Sequence, residues 1–277
     1  MKQPIMDSLR FPGGKTRALT FSYDDSVLQD RRLVGILNDH GLRGTFNIGS
    51  GVLGYVDPTG LMTKLQPEEI APLYAGHEIA SHGLYHSAPT ALGGPAALYE
   101  IIEDRRRLEE LSGGIVRGFA YPFGAYDASV KQLLAAAGMA YARVVPSSGN
   151  FALPTDFLEW MPTAHHNDET LMDLAKAFCG EQRFPHPALF YLWGHSYEFD
   201  QFDNWHVIEE FTDYMAQFGQ TVWFATNIEI HDYIQAYRQL IYSADAGMIY
   251  NPTATHLWMA RGRDAFELAP GATVRLA

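Results

Sequence analysis

The sequence predicts an α/β fold: a (β/α) barrel of seven or eight units with a small β-rich appendage at its C-terminal end. Three observations predict it. Short β-rich runs alternate with longer segments of helical apolar spacing, the pattern of parallel strands joined by right-handed helical crossovers. Seven or eight such units in roughly 230 residues favour a closed sheet over an open doubly wound one. After residue 240 the texture changes to short β-type runs broken by turn residues.

The elements follow in order along the 277 residues. RALTFSY (17–23) is the first strand, and VLQDRRLVGILNDHG is a helix that stops at Gly41. GTFNI (44–48) is a strand, QPEEIAPLYAG a helix, and HEIAS (77–81) a strand. The charged helix AALYEIIEDRRRLEELSGG leads into the strand VRGFAYP (116–122), and the helix DASVKQLLAAAG into YARVV (141–145). A long loop precedes FLEWMP (157–162), and the helix ETLMDLAKAFCG precedes ALFYLWG (188–194). The helix WHVIEEFTDYMAQFG precedes TVWFAT (221–226), and IEIHDYIQAYRQL is the last helix. Residues 1–240 therefore read as the barrel. Residues 241–277 read as a β-rich extension packed on it, punctuated by Asn251-Pro252, Gly262 and Pro270-Gly271.

Composition narrows the function. With 47% hydrophobic residues the chain can bury a large core. Its net charge of −12 argues against an electrostatic nucleic-acid binder. No apolar run approaches the ~20 residues that span a bilayer. The N-terminus lacks an apolar stretch followed by a small-residue cleavage site, so a cytoplasmic location is expected. The single cysteine, Cys179, excludes an internal disulfide and a cysteine metal cluster, and its apolar surroundings suit a buried thiol. No P-loop is present, and no organic cofactor is expected.

The polar residues worth attention follow strand ends. Asp24-Asp25 follow the first strand, and His82 follows HEIAS, with Gly83 stopping a helix before His86. YPFG (121–124), PTAHHND (162–168), His195 and Thr226-Asn227 each follow a later strand. In a parallel barrel those ends converge on one face, where active sites are built. The histidine pair alone is a weak signal, because eleven histidines give roughly 0.4 pairs at any one spacing. Two imidazoles with a carboxylate on the same face are stronger, since they leave positions open on Zn²⁺. The same set also describes a non-haem Fe(II) triad. One aspartate of the adjacent pair can bind metal while its neighbour accepts a proton from water. The plainer alternative is that both cap the helix beginning near Val27.

TFSYDDS, GHEIASHGLYHS, FAYPFG and YLWGHS resemble, in order and approximate spacing, the motifs of the polysaccharide deacetylase family of carbohydrate esterases. The resemblance spans about residues 17–230 and implies a distorted (β/α) barrel, usually of seven strands. It implies Asp24 as catalytic base, Asp25, His82 and His86 as ligands of Zn²⁺ (Co, Mn, Ni or Fe being other candidates), and His195 as catalytic acid. The Phe123 N–H falls where an oxyanion donor is expected. Tyr121, Trp160, His165 and His166 are candidate substrate contacts, the two histidines being equally candidates for an auxiliary acid or plain rim residues. Ala120 departs from the pattern, standing where the family has an arginine paired with the base; Arg117 is a candidate replacement. Asp156 and Glu198 are candidate partners for His195. The function implied is a metal-dependent hydrolase removing an N- or O-linked acetyl group from a carbohydrate-like substrate. An amidase of non-sugar linear or cyclic amides, a catalytically weakened glycan-binding protein and, more distantly, an Fe(II) oxygenase are the rivals.

Overall fold

The structure, a computed structural model, describes residues 9–180, 187–262 and 264–276; the stretch read above for a leader begins in residues outside these. The chain enters through β1 (Leu9–Arg10) and then builds β2 (Arg17–Asp24), α1 (Asp30–Asp39), β3 (Gly44–Ile48), α2 (Ile70–Leu73) and β4 (Glu78–Ser81). Next come α3 (Gly94–Ser112), β5 (Gly118–Ala120), α4 (Ala128–Ala136), β6 (Tyr141–Arg143), β7 (Ala164–His165), α5 (Leu171–Cys179) and β8 (Ala188–His195). Finally α6 (Tyr197–Gln201), α7 (Trp205–Ala216), β9 (Val222–Phe224) and α8 (Asn227–Arg238) precede the antiparallel strands β10 (Ile241–Tyr242), β11 (Met248–Tyr250), β12 (Leu257–Arg261), β13 (Asp264–Leu268) and β14 (Thr273–Arg275).

The parallel strands run in the order β6-β5-β4-β3-β2-β8-β7, with β9 on β2. The two ends of this curled sheet meet through Trp160, whose N–H donates to Ala142 O (3.0 Å) and whose C=O accepts from Val144 N (3.1 Å). Trp160 thus pairs with β6 while the next residues, β7, pair with β8. The result is a distorted (β/α) barrel, as the alternation of strands and helices predicts. FLEWMP, expected as one strand, is instead a 3-10 turn (Phe157–Glu159) ending in that single bridge, with the strand delayed to Ala164.

Alternation along β2 divides its side chains by a period of two. Leu19, Phe21 and Tyr23 join the apolar layer beneath the helices, together with Leu33 and Leu37 of α1 and Phe190 and Leu192 of β8. Thr20, Ser22 and Asp24 turn into the barrel, where they meet Asn227, Asn47 and again Asn47. The barrel interior therefore mixes these polar groups with Ala18, Tyr141, Trp160, Leu189 and Tyr191, and apolar helices seal it outside. Cys179 is buried in that outer layer, as its apolar surroundings predict.

Thr226-Asn227 do not reach the rim. β9 pairs only with Arg17–Leu19 at the start of β2, so its end lies well below Asp24. Asn227 plugs the interior from there, accepting from Thr20 Oγ1 (2.8 Å) and donating to Tyr191 Oη (2.7 Å). The C-terminal strands, joined by β1 from the start of the chain, form two three-stranded antiparallel sheets, β1-β12-β13 and β10-β11-β14. Their Ile249, Leu257, Met259 and Leu268 share a core with Phe11, Ile230 and Tyr233. Among the described residues no helix is long and apolar enough to cross a membrane.

Candidate metal and catalytic site

Parallel register sets the site. Asp24 at the end of β2 lies opposite Asn47 of β3 and His195 of β8. The chain then turns sharply: Asp25 and Ser26 have φ of +83° and +48°, a region that costs a non-glycine residue about 1–3 kcal/mol. Backbone bonds hold this turn, from Asp25 N to Asn47 O (3.1 Å) and from Leu65 N to Ser26 O (2.9 Å). Helix α1 begins only at Asp30, so neither aspartate caps it. The helix-cap reading fails, and both carboxylates are left facing the barrel mouth.

Ligand atoms of Asp25, His82 and His86 lie within 4.8 Å of one another. The His82 backbone N–H donates to Ile48 O (2.9 Å), and its ring is fixed by a 2.8 Å bond from Nδ1 to Ala120 O. That bond places the proton on Nδ1 and leaves Nε2 with a free lone pair. His86 takes φ +56° after Gly83 at +74°, which folds the loop back so that the two imidazole centroids stand 4.6 Å apart. Burial lowers the pKa of His82 and brings His86 down to about 4, keeping both rings neutral. Burial pushes Asp25 upward, but Lys64 (Nζ 3.3 Å away) and the nearby imidazoles outweigh it, so the carboxyl stays ionised. Two neutral imidazoles and a carboxylate are the protonation states a divalent metal requires, so the residues fit one.

Asp24 is almost wholly buried, and burial alone would raise its pKa. Arg143, His82, His195 and a 2.8 Å bond from Asn47 Nδ2 reverse the sign and hold the carboxyl below its ordinary range. Arg143, only 1% exposed, forms an ion pair with Asp24 and lies 4.2 Å from the Trp193 ring centroid. It stands in register opposite Ala120 on the adjacent strand. The missing arginine is thus replaced from β6, at the same height in the barrel. Arg117 is not the replacement: it pairs with Asp232 on α8.

His195 Nε2 lies 3.8 Å from Asp24 Oδ2, and its Nδ1 lies 3.4 Å from Glu198 Oε2. The His195 backbone N–H also donates to that oxygen at 3.2 Å. Burial would lower its pKa, yet the negative charges of Glu198, Asp24 and Asp25 raise it above the ordinary value. Of the two candidate partners, Glu198 is therefore the one present; Asp156 pairs with Lys131.

Phe123 sits at φ +57° in a tight turn closed by Gly124 N to Tyr121 O (2.9 Å), with its ring 73% exposed and 4.5 Å from His86. The expected substrate contacts divide. His165 stays half-buried at the mouth, but Tyr121, Trp160 and His166 are 1%, 1% and 0% exposed. Tyr121 donates to Leu158 O (2.8 Å), Trp160 packs edge-on against Tyr141 and Tyr191, and His166 stacks between Tyr23 and Phe199. These three are walls of the site and not its surface, because the barrel closure at Trp160 pulls this segment inward. Sequence reasoning passed over Arg143, Asn47 and Lys64. The available signal was a charge inside the apolar run YARVV, since buried cations are almost always paired.

Structural comparison finds this fold in several solved proteins. A Mycobacterium smegmatis protein assigned as a polysaccharide deacetylase matches with a TM-score of 0.62 at 19% identity, over 84% of this chain and 94% of that one. The Xyl-CE4 domain of a multidomain xylanase from the hindgut metagenome of Trinervitermes trinervoides matches at 0.50 and 17%, over 80% and 92%. A CE4 family pseudoenzyme from Bacillus anthracis matches at 0.50 and 17%, over 80% and 67%. No curated protein matches the sequence. Residues 11–142 match the family model described as Polysaccharide deacetylase. Over those residues, just under half of the chain, the sequence is similar to the polysaccharide deacetylase family.

Proposed function

We propose that the protein is a metal-dependent hydrolase that removes an N- or O-linked acetyl group from a carbohydrate-like substrate. The observation that carries this reading is the placement of Asp24, ionised and held by Arg143 and Asn47, between the Asp25–His82–His86 cluster and His195. A divalent ion, taken here as zinc, would be held by Asp25, His82 and His86 and would supply Lewis acidity toward the acetyl carbonyl and the attacking water. Asp24 accepts a proton from that water as the new C–O bond forms. The Phe123 N–H donates to the carbonyl oxygen as it becomes an oxyanion. His195, held protonated by Glu198, gives its Nε2 proton to the departing amine or alkoxide as the acyl bond breaks. Acetate and the free amine or alcohol are the products.

Ala120 taken alone favours a weakened, glycan-binding protein; the Arg143–Asp24 pair supports catalysis over that reading. The deciding experiment measures acetate release from a panel of N- and O-acetylated sugars against small linear and cyclic amides, with metal content determined alongside. Metal-dependent acetate release from the sugars is expected. Turnover of the amides alone would make this an amidase, and glycan binding without turnover at saturating zinc would make it a binding protein.

A further inference from the structure

A second cluster of metal-ligating groups stands beside the first. Ligand atoms of His165, His195 and Glu198 lie within 4.8 Å of one another at the half-buried mouth. Three imidazole nitrogens surround a single oxygen, Glu198 Oε2: His165 Nε2 at 3.1 Å, His166 Nε2 at 3.2 Å and His195 Nδ1 at 3.4 Å. These separations exceed the ~2.7–2.9 Å of a charge-assisted hydrogen bond. They are close to roughly 3.3 Å, the ligand–ligand edge of a tetrahedron with the usual zinc bond lengths of about 2.0–2.1 Å. His166 Nε2 and His195 Nδ1 make no hydrogen bond, and His166 is fully buried with both ring nitrogens unpartnered.

We propose that His165, His195 and Glu198 form a second divalent-cation site, with His166 supporting Glu198 from beneath, and that filling it inhibits the enzyme. The inhibitory half rests on the proposed role of His195; the binding half does not. An ion on His195 Nδ1 replaces the proton there, so the ring loses the cationic form that readily releases its Nε2 proton. The site is the weaker of the two, for a reason visible in the histidines. In the first site His82 Nδ1 already donates to Ala120 O, so Nε2 is ready to ligate. In the second, His165 Nδ1 accepts the Asn167 N–H at 3.2 Å, which puts the ring proton on Nε2. Ligation through Nε2 moves that proton to Nδ1 and breaks the Asn167 bond.

Equilibrium dialysis of the full chain against Zn²⁺, with metal analysis and anomalous diffraction at the zinc edge, tests the site. Two ions per chain are expected, the second between His165, His195 and Glu198 with a dissociation constant at least about tenfold above that of the first. Glu198→Gln should weaken the second ion by ~100-fold or more, the upper end of what even a supporting contact contributes, and leave the first in place. His165→Ala serves as the same test if Glu198→Gln does not fold. One ion per chain at millimolar zinc, or a second ion retained by both variants, overturns the proposal. Acetate release should rise as the first site fills and fall by ~10-fold or more as the second fills. Flat turnover with two ions bound overturns the inhibitory half. Absence of acetate release from every substrate overturns the proposed function, and the dialysis result still decides the site.

Discussion

The two adjacent aspartates differ in what surrounds them, and that difference predicts how each fails. Asp25 faces the imidazoles of His82 and His86, so Asp25→Ala should lower both metal content and turnover. Asp24 is held by Arg143 and Asn47, so Asp24→Asn should keep the metal and lose ~10²-fold or more in kcat. Metal analysis and acetate release on both folded variants check this; metal lost from Asp24→Asn but kept by Asp25→Ala would exchange the roles. Arg143 is the second residue-scale test. Arg143→Met leaves Asp24 buried without its cation, and breaking such a pair costs about 3–5 kcal/mol. The double variant carrying Asp24→Asn as well should recover much of that stability in chemical denaturation while staying inactive. Moving the cation back, as Ala120→Arg with Arg143→Ala, should restore part of the turnover lost in Arg143→Ala alone, because the two positions share one register.

Within β8 the sequence YLWGH owes its glycine to a neighbour and not to a turn. A Cβ on Gly194 would lie 2.0 Å from His166 Nδ1, inside any permitted contact. His166 cannot retreat, because it stacks on Tyr23 and Phe199 at centroid separations of 5.6 and 4.2 Å. Gly194→Ala should therefore displace the His166–Glu198 pair, and through it the His195 ring. The expected outcome is a lower Tm together with a kcat loss larger than the change in KM; a variant with wild-type Tm and kcat would show that this segment gives way freely.

At the scale of the whole molecule, burial has left three carboxyls among the described residues with raised pKa values. Desolvation brings Asp30 and Glu78 to about 7 and Asp104 to about 6, although each accepts hydrogen bonds, from Tyr74 and Ser196, from Tyr141, Thr45 and Ile228 N, and from Ser50 and Ser81. Their folded values lie above the ordinary unfolded ones near 4, so the folded state binds more protons between those limits. Their contribution to stability is full below about pH 4 and is lost as pH rises through about 6–7. Glu78→Gln removes one such group far from the mouth. Thermal unfolding should show the variant gaining on the wild type between pH 5 and pH 8; an equal difference at both ends would mean that Glu78 does not change ionisation in that interval.

The sequence by itself determined the strand–helix alternation, the barrel, and the strand ends that carry Asp24, Asp25, His82, His86 and His195. It did so because local periodicity and turn residues are written in neighbouring positions, and parallel topology then sends every strand end to one face. Tertiary structure alone decided which residues share a height in the sheet. Register between β5 and β6 set Arg143 opposite Ala120, and register between β2 and β9 sank Asn227 into the interior. Closure through Trp160 buried Tyr121, Trp160 and His166, which the order of motifs alone had put at the substrate. Register and closure are relations between strands distant in the chain, fixed by hydrogen bonds and packing, and a shift of one residue reverses which side chains face inward.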